Sequence, residues 1–174
     1  TQLVRCREFN FDNDKITKEI DSMEEVLKEG AGVKILRISD YNTTGLIGMD
    51  GIVPSGEKNR WDAFTKGSGV SPKGTGQLGS KGIGKYAAYN CSALQMVFFA
   101  STIPGAQGFE GVVQFCSGSI ENNDDNTIGV GYYSDSPKHD AILGTFDAPW
   151  ALHRAPDDFG TDLYVVAFKD DENW

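Results

Sequence analysis

Apolar and polar positions divide the chain into segments with two different periods. Residues 3–11 (LVRCREFNF) alternate apolar and polar side chains, which predicts a strand with one buried face. The next segment, residues 16–28, repeats apolar residues at helical spacing and has Gly30 placed to end the helix. Residues 33–39 (VKILRIS) are apolar and β-branched, and they predict a second strand.

The rest of the chain predicts more strands than helices. Short helices are expected over residues 59–65 and 85–92, and a turn at Pro104-Gly105. Strands are expected over residues 94–101, 109–117, 127–133 and 161–168, with 109–117 and 127–133 forming a hairpin. Residues 134–159 predict an irregular surface loop. This order predicts an α+β sandwich, with a mixed, mostly antiparallel sheet and helices on one face.

Composition and charge narrow the class of protein. The 174 residues predict one domain, 1–174, with a substantial core. A formal net charge of −9 argues against a nucleic-acid clamp. No apolar run is as long as the about 18 residues that a membrane helix needs, so no membrane span is expected. The first residues do not have the pattern of a signal peptide. The three widely spaced cysteines form no CxxC pair, which predicts reduced thiols in a cytoplasmic protein and no metal site.

A glycine-rich stretch, residues 67–90 (GSGVSPKGTGQLGSKGIGKYAAYN), departs from this ordinary composition. Its lysines have no acidic residue among them, and residues 54–90 carry six basic side chains against two acidic ones. Repeated glycine admits close backbone approach to a ligand. Backbone amides, lysines and a helix that begins directly afterwards together favour anion binding. The stretch therefore predicts a cradle for a polyphosphate.

Two short phosphate-binding motifs match this stretch incompletely. Residues 79–85 (GSKGIGK) follow the P-loop pattern, but Tyr86 stands where the magnesium-binding Ser or Thr belongs, and no buried strand precedes the loop. Residues 74–79 (GTGQLG) match GxGxxG without the strand before it or the acidic residue about 20 positions after it. A P-loop nucleotide-binding protein is therefore kept only as a lesser alternative.

Three separated pieces match a known family in order. A strand ends at Asp40 and enters residues 41–46 (YNTTGL), residues 79–84 (GSKGIG) open a helix, and Gly160-Thr161 enters the last strand. These pieces resemble the boxes of the GHKL ATPase superfamily, which has the Bergerat fold, a two-layer α/β sandwich. Asn42 replaces the first glycine of the family's DxGxG box. Because Asn tolerates the left-handed conformation, the turn is expected to survive.

The resemblance implies an ATP site. It implies a buried Asp40 carboxylate that binds adenine with the Thr161 hydroxyl beside it, and a Gly45 that lets the backbone pass close to the base. Residues 67–83 would form a lid, and the triphosphate would lie against the amides that open the following helix. Met49, Ile52 and Leu78 would line the adenine pocket, although core packing explains these apolar residues equally well. Its cofactors would be ATP and Mg²⁺. The implied ATP-binding residues are Asp40, Asn42, Gly45, Gly79, Lys81, Gly82, Ile83, Gly84, Lys85 and Thr161.

One family element is missing from this sequence. GHKL enzymes carry an N-box helix with a water-activating Glu and a magnesium-binding Asn. The predicted helix over residues 16–28 has Glu19, Glu24 and Glu25 but no Asn. Either the N-box lies upstream of Thr1 in a longer parent, or the domain does not hydrolyse ATP. Hydrolysis is therefore expected of the parent, and this chain alone is expected to be inactive or nearly so.

Within the GHKL superfamily, the residues of the boxes most resemble those of prokaryotic heat-shock-90-like and microrchidia-like ATPases. That resemblance implies nucleotide-dependent lid closure that switches homodimerisation or a partner effector domain, in the context of anti-phage (antiviral) defence. The alternative is a non-hydrolysing scaffold that keeps the fold and binds another protein through its acidic half, residues 101–174.

Overall fold

The computed structural model describes residues 2–28, 32–67, 83–120, 125–136 and 138–170. Its helices are α1 (Gln2–Phe9), α2 (Asp14–Lys28), α3 (Arg60–Thr65) and α4 (Ile83–Asn90). Its strands are β1 (Ile35–Ser39), β2 (Ser92–Ile103), β3 (Ala106–Gln114), β4 (Val130–Tyr133), β5 (Ile142–Leu143) and β6 (Gly160–Phe168). These elements confirm the α+β class predicted from the sequence.

The described strands form one sheet in the order β1-β6-β2-β3-β4, and the short strand β5 also pairs with β3. Every pairing among the described strands is antiparallel, so the described part of the sheet contains no parallel pair. The last strand in sequence, β6, lies between β1 and β2 and is almost entirely buried. Its central position explains the near-continuous apolar sequence of residues 163–168.

The main core lies between the sheet and the two short helices α3 and α4. Trp61 of α3 and Tyr89 of α4 pack in the same buried cluster as Val97 and Phe99 of β2 and Val165 of β6. Asn59 caps α3, because its side chain accepts a hydrogen bond from the Asp62 amide. This cap explains why the predicted helix over residues 59–65 is observed.

Aromatic rings cover the opposite face of β2 and β6. Phe146 stacks on Phe98 with ring centroids 5.2 Å apart, and Trp150 packs edge-on against Tyr164 at 5.3 Å. Both covering residues come from the segment 134–159, which the sequence predicts to be only surface loop. That prediction is incomplete, since this segment supplies β5 and a second apolar layer.

The N-terminal prediction is wrong. Residues 3–11 were expected to form a strand, whereas α1 is a helix over Gln2–Phe9. The helix buries Cys6 completely, and Arg7 donates to Glu24 of α2 at 3.0 Å and also pairs with Asp21. These contacts with α2 decide the conformation, because the apolar positions of this segment fit both periods.

The helix predicted over residues 85–92 begins and ends two residues earlier, as α4. Ser92 is instead the first residue of β2, where its hydroxyl donates to the Val166 carbonyl of β6. The longest described helix, α2, has 15 residues. Within the described ranges no helix combines the length and apolar character needed to cross a bilayer.

Candidate functional site

Two of the three sequence boxes meet at one end of the sheet. β1 and β6 pair in register from Ile35↔Val166 to Ser39↔Asp162, which brings the residue after β1 beside the start of β6. There the Thr161 amide donates to Asp40 Oδ1 at 2.7 Å, although the two residues are 121 positions apart in sequence. The Asp40 amide donates in return to the Thr161 carbonyl at 3.0 Å. Asp40 and Thr161 are thus neighbours held by backbone geometry.

The expectation of a buried Asp40 is wrong, because its side chain is exposed. It lies one residue beyond β1, which is an edge strand, so little of the chain covers it. Besides the Thr161 amide, Oδ1 accepts from the Thr43 hydroxyl at 2.9 Å. Both bonds use the same oxygen, so within the described residues Oδ2 is left to accept from a ligand.

Thr161 is buried, at 5% exposure, and its hydroxyl lies 3.3 Å from that of Ser101. Ser101 also accepts from the Leu46 amide at 2.9 Å and donates to the Gly160 carbonyl at 3.0 Å. It therefore ties the loop after β1 to the start of β6, a role that the sequence analysis missed. The sequence signal was the hydroxyl residue Ser101, which directly follows the apolar residues 96–100 of β2.

The loop that follows Asp40 has the conformation its residues allow. Asn42 has φ 56°, so it takes the left-handed turn that the glycine of the family box would take. Gly45 has φ +62°, and an added Cβ would lie 2.5 Å from the Thr102 carbonyl oxygen and 2.9 Å from Ser101 Oγ. The close approach that Gly45 permits in this structure is to β2. Its approach to a base stays a prediction.

Gly45→Ala and Gly51→Ala separate this contact from backbone strain. Gly51 also has a positive φ, +77°, but a Cβ there meets nothing within 4 Å. We expect Gly51→Ala to lower the free energy of unfolding by about 1–2 kcal/mol, the cost of the left-handed conformation alone. Gly45→Ala should cost about 1–3 kcal/mol more, because overpacking is added. Urea denaturation of both variants measures the difference, and equal losses would contradict the steric argument.

A buried ion pair supports this end of the sheet from its other face. Arg154, with 3% of its side chain exposed, donates from Nε to Asp162 Oδ2 at 2.6 Å and from Nη2 to Oδ1 at 3.0 Å. The same Nη2 donates to the Asp40 carbonyl at 2.6 Å. The guanidinium also packs on the Tyr41 ring, with Arg154 Cζ 4.5 Å from the ring centroid. Arg154 therefore fixes the backbone on which the Asp40 carboxylate is carried.

The sequence analysis did not single out this pair, although signals existed. Arg154 is the one arginine after residue 101, in a strongly acidic half of the chain. Asp162 lies inside the last strand, directly before its apolar residues 163–168. A charged residue inside such a strand requires a partner, and an isolated arginine is the natural one.

A second buried acid lies under α3. Glu110 of β3 is 0% exposed, and its Oε2 accepts from Trp61 Nε1 at 3.1 Å. Its Oε1 has no hydrogen-bond partner among the described residues. Burial raises the pKa of Glu110 to about 7, against the opposing charge of Lys66. This carboxyl is therefore poised to change charge near neutral pH.

A cleft of about 360 Å³ opens between α3, the loop of residues 48–51 and the segment 135–143. Met49, one of the expected adenine walls, lines this cleft, while Ile52 is 68% exposed and does not line it. Asp40 and Thr161 also lie outside its lining. The charged lining is mostly acidic and consists of Asp50, Asp62, Asp135, Asp140 and Lys66.

Most of the expected phosphate site lies outside the described residues. That applies to Gly79, Lys81, Gly82, the pocket residue Leu78 and most of the lid, residues 67–83. Ile83, Gly84 and Lys85 form the first turn of α4, and their side chains are outside the described part. The predicted polyphosphate cradle stays a prediction, and α4 begins at Ile83, two residues before the expected start of the helix.

The implied magnesium ion would need oxygen ligands from the protein or from the nucleotide. Hard cations prefer several oxygen ligands, mostly carboxylates. Among the described residues no group of three or more His, Cys, Asp or Glu side chains is arranged to hold a metal ion. The described residues therefore do not fit a protein-held magnesium site.

Comparisons of the chain with protein-family models, with curated proteins and with solved structures gave no match. The case for a function therefore rests on the residues and their geometry.

Proposed function

We propose that this chain is an ATP-binding domain of the GHKL type. The observation that carries the proposal is the 2.7 Å hydrogen bond between the Thr161 amide and Asp40 Oδ1, which unites two of the sequence boxes. The turn at Asn42 and the glycine at position 45 add support, because both adopt positive φ directly after Asp40. The start of α4 at Ile83, within the second box (residues 79–84), is a further support.

The chemistry at Asp40 suits an adenine base. Adenine presents an exocyclic amine, which donates, beside a ring nitrogen, which accepts. Oδ1 is engaged by the Thr161 amide, so Oδ2 would accept from the amine. Thr161 and Ser101 share a hydroxyl pair at 3.3 Å, and a hydroxyl or a water molecule there would donate to the ring nitrogen. A carboxylate next to a hydroxyl therefore complements the donor and the acceptor on this edge of the base.

Asp40→Asn is a sharp test, because the substitution keeps the acceptor for the Thr161 amide and replaces Oδ2 with a donor. We expect Mg-ATP at about 100 times its dissociation constant to stabilise the unaltered protein by about 2.7 kcal/mol. Asp40→Asn should lose most of that stabilisation while its circular dichroism spectrum stays the same. The matched control is Asp147→Asn, which removes the same charge from a side chain that is 92% exposed. Thermal unfolding with and without millimolar Mg-ATP provides the measurement.

The outcome separates the ligand from the fold. If Asp40→Asn retains the full ATP response of the Asp147→Asn control, the assignment of Asp40 to the base is wrong. If the unaltered protein shows no response, the nucleotide proposal itself fails for this chain.

The biological role is proposed by resemblance. ATP would order the lid over residues 67–83, and lid closure would switch homodimerisation or a partner effector domain. By the same resemblance to prokaryotic GHKL proteins, we propose anti-phage defence as the setting of this switch. Because the sequence contains no ExxxN segment, we propose ATP binding for this chain and assign it no hydrolysis of its own.

A second candidate function is a protein-binding scaffold. It is favoured by the acidic cleft beside α3, where Asp50, Asp135 and Asp140 face a volume of about 360 Å³. Such a lining suits a basic segment of another protein better than a triphosphate. Absence of ATP-dependent stabilisation, together with salt-sensitive binding of a lysine-rich peptide, would favour this alternative.

A further inference from the structure

Two cysteines that are far apart in sequence lie against each other. Cys6 of α1 and Cys116, two residues after β3, are 110 positions apart, and the Cys6 thiol donates to the Cys116 carbonyl oxygen at 3.4 Å. Asn10 strengthens the contact, because its Nδ2 donates to the Cys6 and Ser117 carbonyls, each at 2.8 Å. Helix α1 is thereby held against the segment that leaves the sheet.

The approach of the two segments is unusually close. A Cβ added at Gly118 would lie 3.0 Å from Cys6 Sγ and 3.2 Å from Cys6 Cα. A side chain at position 118 would fit only if Cys6 shifted by a few tenths of an ångström, whereas glycine needs no such shift. Cys6 is 0% exposed, whereas Cys116 is half-buried. One thiol is therefore enclosed and its neighbour is open to a small molecule.

The surroundings of Cys116, including Cys6, change the pKa of its thiol. Burial raises the pKa of the Cys116 thiol to about 11, and the charge and hydrogen bond of Cys6 add to the shift. Glu19 of α2 contributes in the same direction. At neutral pH Cys116 therefore carries little thiolate, and its oxidation is slow.

We propose that Cys6 and Cys116 are a dithiol pair that a hydroperoxide converts into a reversible disulfide, which ties α1 to the segment after β3. Cys116 is the thiol that the oxidant reaches. Its sulfur attacks one peroxide oxygen, which gives a sulfenic acid and releases water or an alcohol. The Cys6 sulfur then attacks the sulfenic sulfur, the S–S bond forms and a second water leaves. Two thiols are oxidised, and one peroxide bond is reduced.

The disulfide would have a structural consequence. It would close a loop of 110 positions between the N-terminal helix and the sheet. Long closed loops restrict the unfolded chain most, so the oxidised form should unfold at a higher temperature. Helix α1 would then be unable to leave the sheet until a thiol reductant restores the pair.

The test is oxidation of the whole chain with hydrogen peroxide at pH 7 and at pH 9. We expect the intact mass to fall by two hydrogens, peptide mapping to join Cys6 to Cys116, and the reaction to be faster at pH 9. The melting temperature should rise by several degrees and return after dithiothreitol. Cys91→Ser should behave like the unaltered protein, whereas Cys116→Ser should gain no intramolecular disulfide.

Three results would overturn the proposal. They are a disulfide that involves Cys91, conversion of Cys116 to sulfinic acid without a cross-link, and a mapped Cys6–Cys116 disulfide that leaves the melting temperature unchanged. Mapping of the unaltered chain decides the pairing even if Cys6→Ser does not fold. The result is independent of ATP binding.

Discussion

Replacing Arg154 with methionine will lower the free energy of unfolding by about 3–5 kcal/mol. The substitution leaves the Asp162 carboxylate, with 1% of its side chain exposed, without its bidentate partner. It also removes the donor to the Asp40 carbonyl. Chemical denaturation at pH 7 gives the value.

Two controls locate the origin of that loss. Lys34→Ala breaks the Lys34–Asp170 pair, whose side chains are 67% and 55% exposed, and should cost less than about 1 kcal/mol. The double variant Arg154→Met, Asp162→Leu should be more stable than Arg154→Met alone, because it removes the uncompensated buried charge. A double variant that is less stable than the single would show that packing, and not the unpaired charge, sets the cost.

Replacing Glu110 with glutamine will remove a pH dependence of stability. The folded-state pKa of Glu110 is raised from 4.5 to about 7, so the folded protein binds this proton more tightly than the unfolded chain does. Stability from this group is complete below pH 4.5 and is lost as the pH rises through 7. At about 1.4 kcal/mol per pKa unit, the loss between pH 5 and pH 8 is about 2–3 kcal/mol.

Comparing Glu110→Gln with the unaltered protein separates the titration of Glu110 from that of every other carboxyl group. Glutamine keeps an oxygen that accepts from Trp61 Nε1 and does not titrate, so the stability of Glu110→Gln relative to the unaltered protein should increase by about 2–3 kcal/mol from pH 5 to pH 8. Trp61→Phe removes the donor to Glu110 and should destabilise more at pH 8 than at pH 5. Unfolding free energies across this range test both, and a constant difference between Glu110→Gln and the unaltered protein would refute the titration.

Local signals in the sequence predict most of the fold. Apolar and β-branched residues identify β1, β2 and β6, and the short helix expected over residues 59–65 is observed as α3. The error at residues 3–11 arose because their conformation depends on α2, and no local pattern encodes the Arg7–Glu24 pair. Likewise, the second apolar layer depends on Phe146 and Trp150 reaching the sheet from an irregular segment.

The candidate site was predictable only in part. Asp40 and Thr161 could be paired from the order of the boxes, and the structure brings them together. The exposure of Asp40 could not, because it depends on β1 being an edge strand. Ser101, Arg154 and Glu110 act through residues 49 or more positions away, or through a loop, so their roles become visible only once the sheet order is known.

The position of β6 also sets the time at which the site can form. This strand is the last of the six described strands, yet it separates β1 from β2 in the sheet. During synthesis, β1 has no neighbour until residues 160–168 have left the ribosome, and the Asp40–Thr161 bond cannot form earlier. Such pairings between distant segments are slow steps in folding. A ribosome that stops before residue 160 therefore releases a chain whose glycine-rich stretch is complete but which has no candidate site.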